Sequence, residues 1–291
     1  MSSVPSIGSE VDRAQPKTTA ATVTSSRRVD AGALARRVLP PLVIGVAGFV
    51  AWELIVRLNQ IPYYILPGPI LVLRTLVQDW STLYPSLLVT LAITGAALLV
   101  ATVAGVLISI LFTQSKLVEL SLFPYAVILQ VTPIVAIAPL IIIWVRNIPT
   151  ALLICAWLVA FFPIVSNTTL GLNSADHNLL NLMQLYGATR RQVFWYLRLP
   201  SAMPYFLGGL RISGGLALIG AVVAEFVAGT GGAQSGLAYR ILESGYTMQI
   251  PRMFAALLMI TGSGILIFLA LTALSHAILR RWHESAVSRE G

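Results

Sequence analysis

Four long stretches of this chain contain no Asp, Glu, Lys or Arg: Trp80 to Ser115, Leu120 to Val145, Asn147 to Ala175 and Met253 to Leu279. A helix needs about 20 mostly apolar residues to cross a bilayer, and each stretch can hold at least one crossing. A transmembrane β-barrel would instead alternate apolar and polar residues in segments of about ten, and these stretches do not alternate. The expected fold class is therefore all-α, a polytopic membrane protein. Composition agrees. Of the 291 residues 57% are hydrophobic and only 10% are charged, where a soluble domain carries roughly 25% charged residues.

Six transmembrane helices are expected. The first is Pro40–Leu58, with Glu53 as its one internal acid and Arg57 four residues on as an ion-pair partner. The second runs from about Tyr84 to Phe112. The third and fourth share Leu120 to Leu172, divided where Arg146, Asn147 and Pro149 cluster. The fifth covers Phe206 to Ala228 and the sixth Met253 to Leu279. Residues 1–38 are rich in Ser, Thr and Ala with no apolar period, which predicts a disordered cytoplasmic tail. Residues 39–282 form the transmembrane domain, with a loop at 173–204, and residues 283–291 form a C-terminal cytoplasmic tail.

The formal charge of +8 would suggest nucleic acid on a soluble protein. Here the basic residues lie in tails and loops, so they set orientation and no nucleic-acid partner is expected. With the N-terminus inside, thirteen Lys and Arg fall on the cytoplasmic side. Five fall outside: Arg57, Arg74, Arg146, Arg240 and Arg252. Arg211 lies near the inner end of the fifth span. Both termini are thus expected in the cytoplasm.

Little suggests catalysis or metal binding. The single cysteine, Cys155, lies in an apolar run, and neither HExxH nor CxxC occurs. The loop "GTGGAQSG", 229–236, lacks the Lys-Ser/Thr ending of a phosphate-binding loop and reads as a flexible outer loop. Two features point instead to passage through the membrane. The third run carries Pro124, Pro133 and Pro139, each of which removes a backbone donor and favours a kink. A bent helix of this kind lines a path or helps helices pack, and Gln130, Thr132 and Pro133 are its candidate path residues. Glu225 is the deepest acid. A charge at that depth faces protein or water and has a partner, so it either lines the path or makes a structural hydrogen bond near the outer interface. The glycines of the fifth span, Gly208, Gly209, Gly214, Gly215 and Gly220, favour close helix packing, within the chain or across a dimer.

The loop "DHNLLNLMQLYGATRRQVFWYLRLPSAMP", 176–204, interrupts the apolar pattern with a basic, amphipathic sequence. It reads as two short helices. Gly187 ends the first, Thr189 caps the second, and Pro200 and Pro204 stop the second. Two physical readings stand: a helix on the anionic inner leaflet, or a docking element for a soluble partner.

The spacing of Gly187, Leu197 and Leu199-Pro200 resembles the cytoplasmic loop motif of ABC importer permeases, E-A-A-three-Gly-nine-Ile-one-Leu-Pro. The run "GATRRQVFWYLRLPSAMPYFLGGLRISGGLALIGAVVAEF", with "LPGPILVL" and "TPIVAIAPLIIIW", is similar to the nitrate, sulfonate and taurine branch, near its pyrimidine-precursor and riboflavin relatives. The chain departs from the motif at Asn181, Leu182 and Met183, which replace Glu-Ala-Ala, and at Leu197, which replaces Ile.

The resemblance implies a type I (MetI-like) importer permease in a bacterial inner membrane, paired with a second copy of itself as a homodimer. The loop would dock on a cytoplasmic ABC ATPase, which holds the ATP and Mg while this chain binds no cofactor. Gly187 and Ala188 would form the bend entering the ATPase groove. Thr189, Arg190 and Arg191 would be contacts there, with Leu199-Pro200 anchoring the second helix. An extracytoplasmic binding protein would deliver the solute, a pyrimidine or vitamin precursor of the hydroxymethylpyrimidine or riboflavin type. The alternative solutes are sulfonate, nitrate or taurine. The alternative class is a secondary transporter without an ATPase, which would favour paired intramembrane acids and internal repeats.

Overall fold

The computed structural model describes residues 31–229, 231–232 and 235–280, the side chains of 31–38 excepted. All its regular secondary structure is helical. The order is α1 (Ala31–Leu58), α2 (Pro69–Gln78), α3 (Trp80–Gln114), α4 (Lys116–Val131), α5 (Ile134–Val145) and α6 (Ile148–Leu172), followed by α7 (His177–Leu185), α8 (Arg190–Val193), α9 (Leu199–Ala228), α10 (Leu237–Tyr246) and α11 (Ile250–Leu279). A π-helical turn, Phe194–Arg198, joins α8 to α9. Five helices are long and apolar enough to cross a membrane, and the bent pair α4–α5 brings the number to six.

The chain divides into two units, Met1–Val50 and Ala51–Gly291. The first, as far as it is described, is the opening part of α1. That helix begins at Ala31, inside the segment expected to be a disordered tail. The sequence "AGALARRVL" there consists largely of strong helix formers, and it runs directly into the first apolar stretch. Residues 1–30 and 283–291 lie outside the described residues.

In the second unit α3, α6 and α9 form the core. Many of its buried positions hold small residues: Ala97 and Ala101 from α3, Ala151, Ala156 and Ala160 from α6, and Ala217, Ala221 and Ala224 from α9. Lipid tails are as apolar as side chains, so helices in a membrane associate by close packing and interhelical hydrogen bonds rather than by leaving water. Both occur along the α6–α9 seam. A Cβ on Gly209 would lie 2.8 Å from the Pro163 carbonyl oxygen, and one on Gly220 would lie 2.8 Å from the Ala156 Cα. Between them the Ser213 hydroxyl donates to the Ala160 carbonyl at 2.6 Å. Gly214 packs on Leu271 of α11, whereas Gly208 and Gly215 face open space.

The third span breaks at one place, not three. Pro124 and Pro139 sit inside intact helices. Thr132 and Pro133 together end α4 and begin α5, and the two helices meet at 99°. A proline at the start of a helix loses no hydrogen bond, so Pro133 begins α5 without strain. The next break falls where expected. Arg146 ends α5 in a left-handed conformation, and Asn147 caps α6 by accepting from the Thr150 N–H at 3.0 Å.

Candidate coupling loop and buried acid

The loop after α6 is built by local hydrogen bonds. Asp176 starts α7 by accepting from the Asn178 N–H at 2.7 Å. At the other end Gly187 has φ +71. Its N–H donates to the Gln184 carbonyl at 3.0 Å, and the Ala188 N–H donates to the Met183 carbonyl at 2.9 Å. This pair of bonds satisfies two of the carbonyls left free at a helix end, and it requires the left-handed residue that glycine supplies. Thr189 then caps α8. Its Oγ1 accepts from the Gln192 N–H at 3.3 Å, and Gln192 Oε1 accepts from the Thr189 N–H at 2.8 Å. The T-x-x-Q spacing marks Gln192 as the reciprocal partner of a capping box, a signal that reading Thr189 as a lone cap overlooks.

Pro200 and Pro204 do not stop the second helix. Helical backbone continues from Arg190 to Ala228. The π turn explains how Pro200 is passed. An interior proline collides with the carbonyl four residues back. Here the Leu199 N–H reaches five residues back to Phe194, which widens the helix just before Pro200, and the Ser201 hydroxyl donates to the Leu197 carbonyl at 2.8 Å. The Leu-Pro pair therefore carries the loop helix into the membrane span.

The surface of this element is unlike the surface of a free loop. Leu185 is 85% exposed and Tyr186 84%, and Trp195 and Tyr196 are also exposed. Arg190 and Arg191 are exposed beside them, with no ion pair among the described residues. Thr189, Arg191, Gln192, Trp195 and Tyr196 line a shallow hollow. The structure thus brings Gly187, Ala188, Thr189, Arg190 and Arg191 into one bend. Leu199 and Pro200 lie at the root of α9, half-buried.

The candidate path residues separate. Gln130, Thr132 and Pro133 gather at the 99° bend, where the Thr132 hydroxyl donates to the Ile128 carbonyl at 2.6 Å. None of the hydrogen bonds of Glu225 reaches them. Glu225 is 3% exposed. The Thr90 hydroxyl of α3 donates to its carboxylate at 2.8 Å, and the Ala238 N–H donates to it at 3.1 Å. Thr90 in turn accepts from the Leu237 N–H at 2.9 Å. Helix N-termini present free N–H groups, and here a carboxylate and a hydroxyl from two spans satisfy two of those of α10. Glu225 thus makes the structural hydrogen bonds of one of its two sequence-based readings. Glu53 forms the expected pair with Arg57 at 2.6 Å.

Residues 101–283 match the family model described as binding-protein-dependent transport system inner membrane component. The chain is 36% identical over 242 residues to the formylaminopyrimidine transport permease protein ThiX of Halalkalibacterium halodurans, covering 83% of this chain and 95% of that protein. It is 32% identical to the riboflavin transport system permease protein RibX of Chloroflexus aurantiacus, covering 81% and 87%. It is 29% identical to the putative aliphatic sulfonates transport permease protein SsuC of Bacillus subtilis, covering 83% and 82%. Among solved structures, an amino acid ABC transporter with histidines matches at TM-score 0.57 and 18% identity, over 71% of this chain and 97% of that one. That match establishes a shared fold.

Proposed function

This chain belongs to the family of binding-protein-dependent transport system inner membrane components, and from that premise we propose how it works and what it carries. It is a multi-pass membrane permease subunit of an ABC importer, a transport component rather than an enzyme. Its family works with ATPase and binding-protein partners. We assign the bend at Gly187–Arg191 as its ATPase contact. The carrying observation is a doubly hydrogen-bonded turn that exposes Leu185, Tyr186, Trp195 and Tyr196 between two spans. Apolar side chains displayed on a built turn mark a partner site more than an accident of the surface.

In this reading both termini are cytoplasmic, in line with the excess of basic residues on that side. Two permease chains form the pathway, and two ATPase subunits hold ATP and Mg and each receive one bend. Gln130, Thr132 and Pro133, at the bend between α4 and α5, line the path. The solute is a pyrimidine-type vitamin precursor, supported by 36% identity to a formylaminopyrimidine permease across 95% of that protein's length.

The test is uptake into vesicles holding the complete transporter, with its binding protein loaded in turn with formylaminopyrimidine, riboflavin, taurine, an aliphatic sulfonate or nitrate. ATP-dependent uptake of the pyrimidine is expected. Uptake of the sulfonate or taurine alone would reassign the solute and leave the ATPase contact standing. Uptake by the permease without any ATPase would overturn the importer reading.

A further inference from the structure

The outer helix α10 is held to the core by an unusual fastening. Its N-terminal amides bond to a side chain from each of two spans, Glu225 of α9 and Thr90 of α3. A second contact lies one turn along: Arg240 Nε donates to the Ser86 hydroxyl at 3.0 Å. Residues 237 and 240 of α10 thus meet 90 and 86 of α3, which fixes an antiparallel register. Gly236 closes the seat. A Cβ there would collide with the Glu225 carboxylate, so the chain passes directly over the acid.

No Lys, Arg or His among the described residues forms an ion pair with Glu225 within 4.0 Å. A buried carboxylate without a cation is costly unless hydrogen bonds satisfy it. Its carboxyl group is met instead by the Thr90 hydroxyl, one amide and the positive end of the α10 dipole. Moving α10 away strips the amide and the dipole from the acid at once. These contacts would therefore be lost together, which makes the seat hold α10 as a unit.

We propose that Glu225 is a positioning residue for transport: with Thr90 it locks α10 onto the α3–α6–α9 core, so that α10 stays seated and moves with that core throughout the transport cycle. The proposal rests on the orientation given above, which places α10 on the outer side.

A cysteine reporter tests it. Ser244 of α10 is fully buried, and the one native cysteine, Cys155, is buried too. Ser244→Cys is introduced into the complete transporter in vesicles, and its labelling by a membrane-impermeant maleimide is timed from each side. Measurements are made at rest, with ATP, and after vanadate trapping. In the parent, the chain carrying this substitution alone, the introduced thiol is expected to stay protected in all three states.

Glu225→Ala and Thr90→Val should each speed labelling about tenfold or more, the factor expected from one lost charge-assisted hydrogen bond. Thr90→Ser keeps the hydroxyl and should restore protection and uptake together. If Glu225→Ala does not assemble, Gly236→Ala tests the same seat sterically with the acid retained, and the same acceleration is expected. Labelling of the parent only after vanadate trapping would overturn the proposal, because α10 would then leave its seat in the normal cycle. Rates in Glu225→Ala and Thr90→Val within twofold of the parent would overturn it as well. Labelling confined to the ATPase side would overturn the orientation alone, since the rate ratios between variants still score the seat.

Discussion

Substituting Gly187 gives a graded test of the coupling bend. Gly187 sits at φ +71, and a Cβ there would meet nothing within 4 Å. Sterics with neighbours are therefore absent, and the backbone penalty acts alone. For an L-residue the left-handed region costs about 1–2 kcal/mol, so Gly187→Ala should weaken any interaction that needs the bend by about 5- to 30-fold. Asn visits that region more readily and should fall between Gly and Ala. Pro is the extreme case. Its ring holds φ near −65°, and it removes the N–H that bonds to Gln184 at 3.0 Å, a further loss of about 1 kcal/mol. The bend then cannot form as built. The assay is affinity of the purified ATPase for the permease in lipid nanodiscs, read beside coupled uptake in vesicles. The expected order is Gly, Asn, Ala, Pro, with membrane insertion unchanged throughout. Parent-like affinity and uptake in Gly187→Pro would refute the assignment of the bend as the coupling contact.

Arg190→Glu should weaken ATPase binding without altering insertion, because Arg190 is exposed and free of ion pairs among the described residues; a pull-down in detergent reads this. Gly209→Val should destabilise the α6–α9 seam by about 1–3 kcal/mol through overpacking against the Pro163 carbonyl. Gly208→Val faces open space and should leave the melting temperature of the single chain in detergent unchanged. Arg252→Ala should lower that temperature as well, since it breaks a 2.6 Å pair between α11 and Asp79 at the junction of α2 and α3. An unchanged melting curve would show that this pair contributes nothing.

The spans were legible because lipid imposes long charge-free runs that nothing else in the chain resembles. The loop was legible at Gly187 and Thr189 because a left-handed turn and a cap leave local sequence marks. The errors have local causes too. Pro200 reads as a stop because the rule for interior prolines assumes an α-helix upstream, and the π turn at Phe194–Arg198 changes that premise. The short helices α2 and α10 lie between or beside apolar runs and mix charges with apolar residues, so hydropathy does not separate them. The depth of Glu225 can be read from its surroundings in the sequence. Its partner Thr90 lies 135 positions away, and no local pattern marks such a pair.

The π turn has a mechanical consequence. Because it lets Pro200 be passed without a break, Arg190 to Ala228 is one continuous helical path, and at about 1.5 Å of rise per residue that path is roughly 60 Å long. A rod of this length needs no relay of side chains: a tilt imposed at its Arg190 end arrives at Glu225 as a sweep of the far end. The wide turn is also the place where the rod can change its winding. Drawing its extra residue back into α geometry would rotate the tip by about 100° relative to the span, the angle one residue occupies at 3.6 residues per turn. Such a joint would stand at the root of α9, beside the exposed bend at Gly187–Arg191.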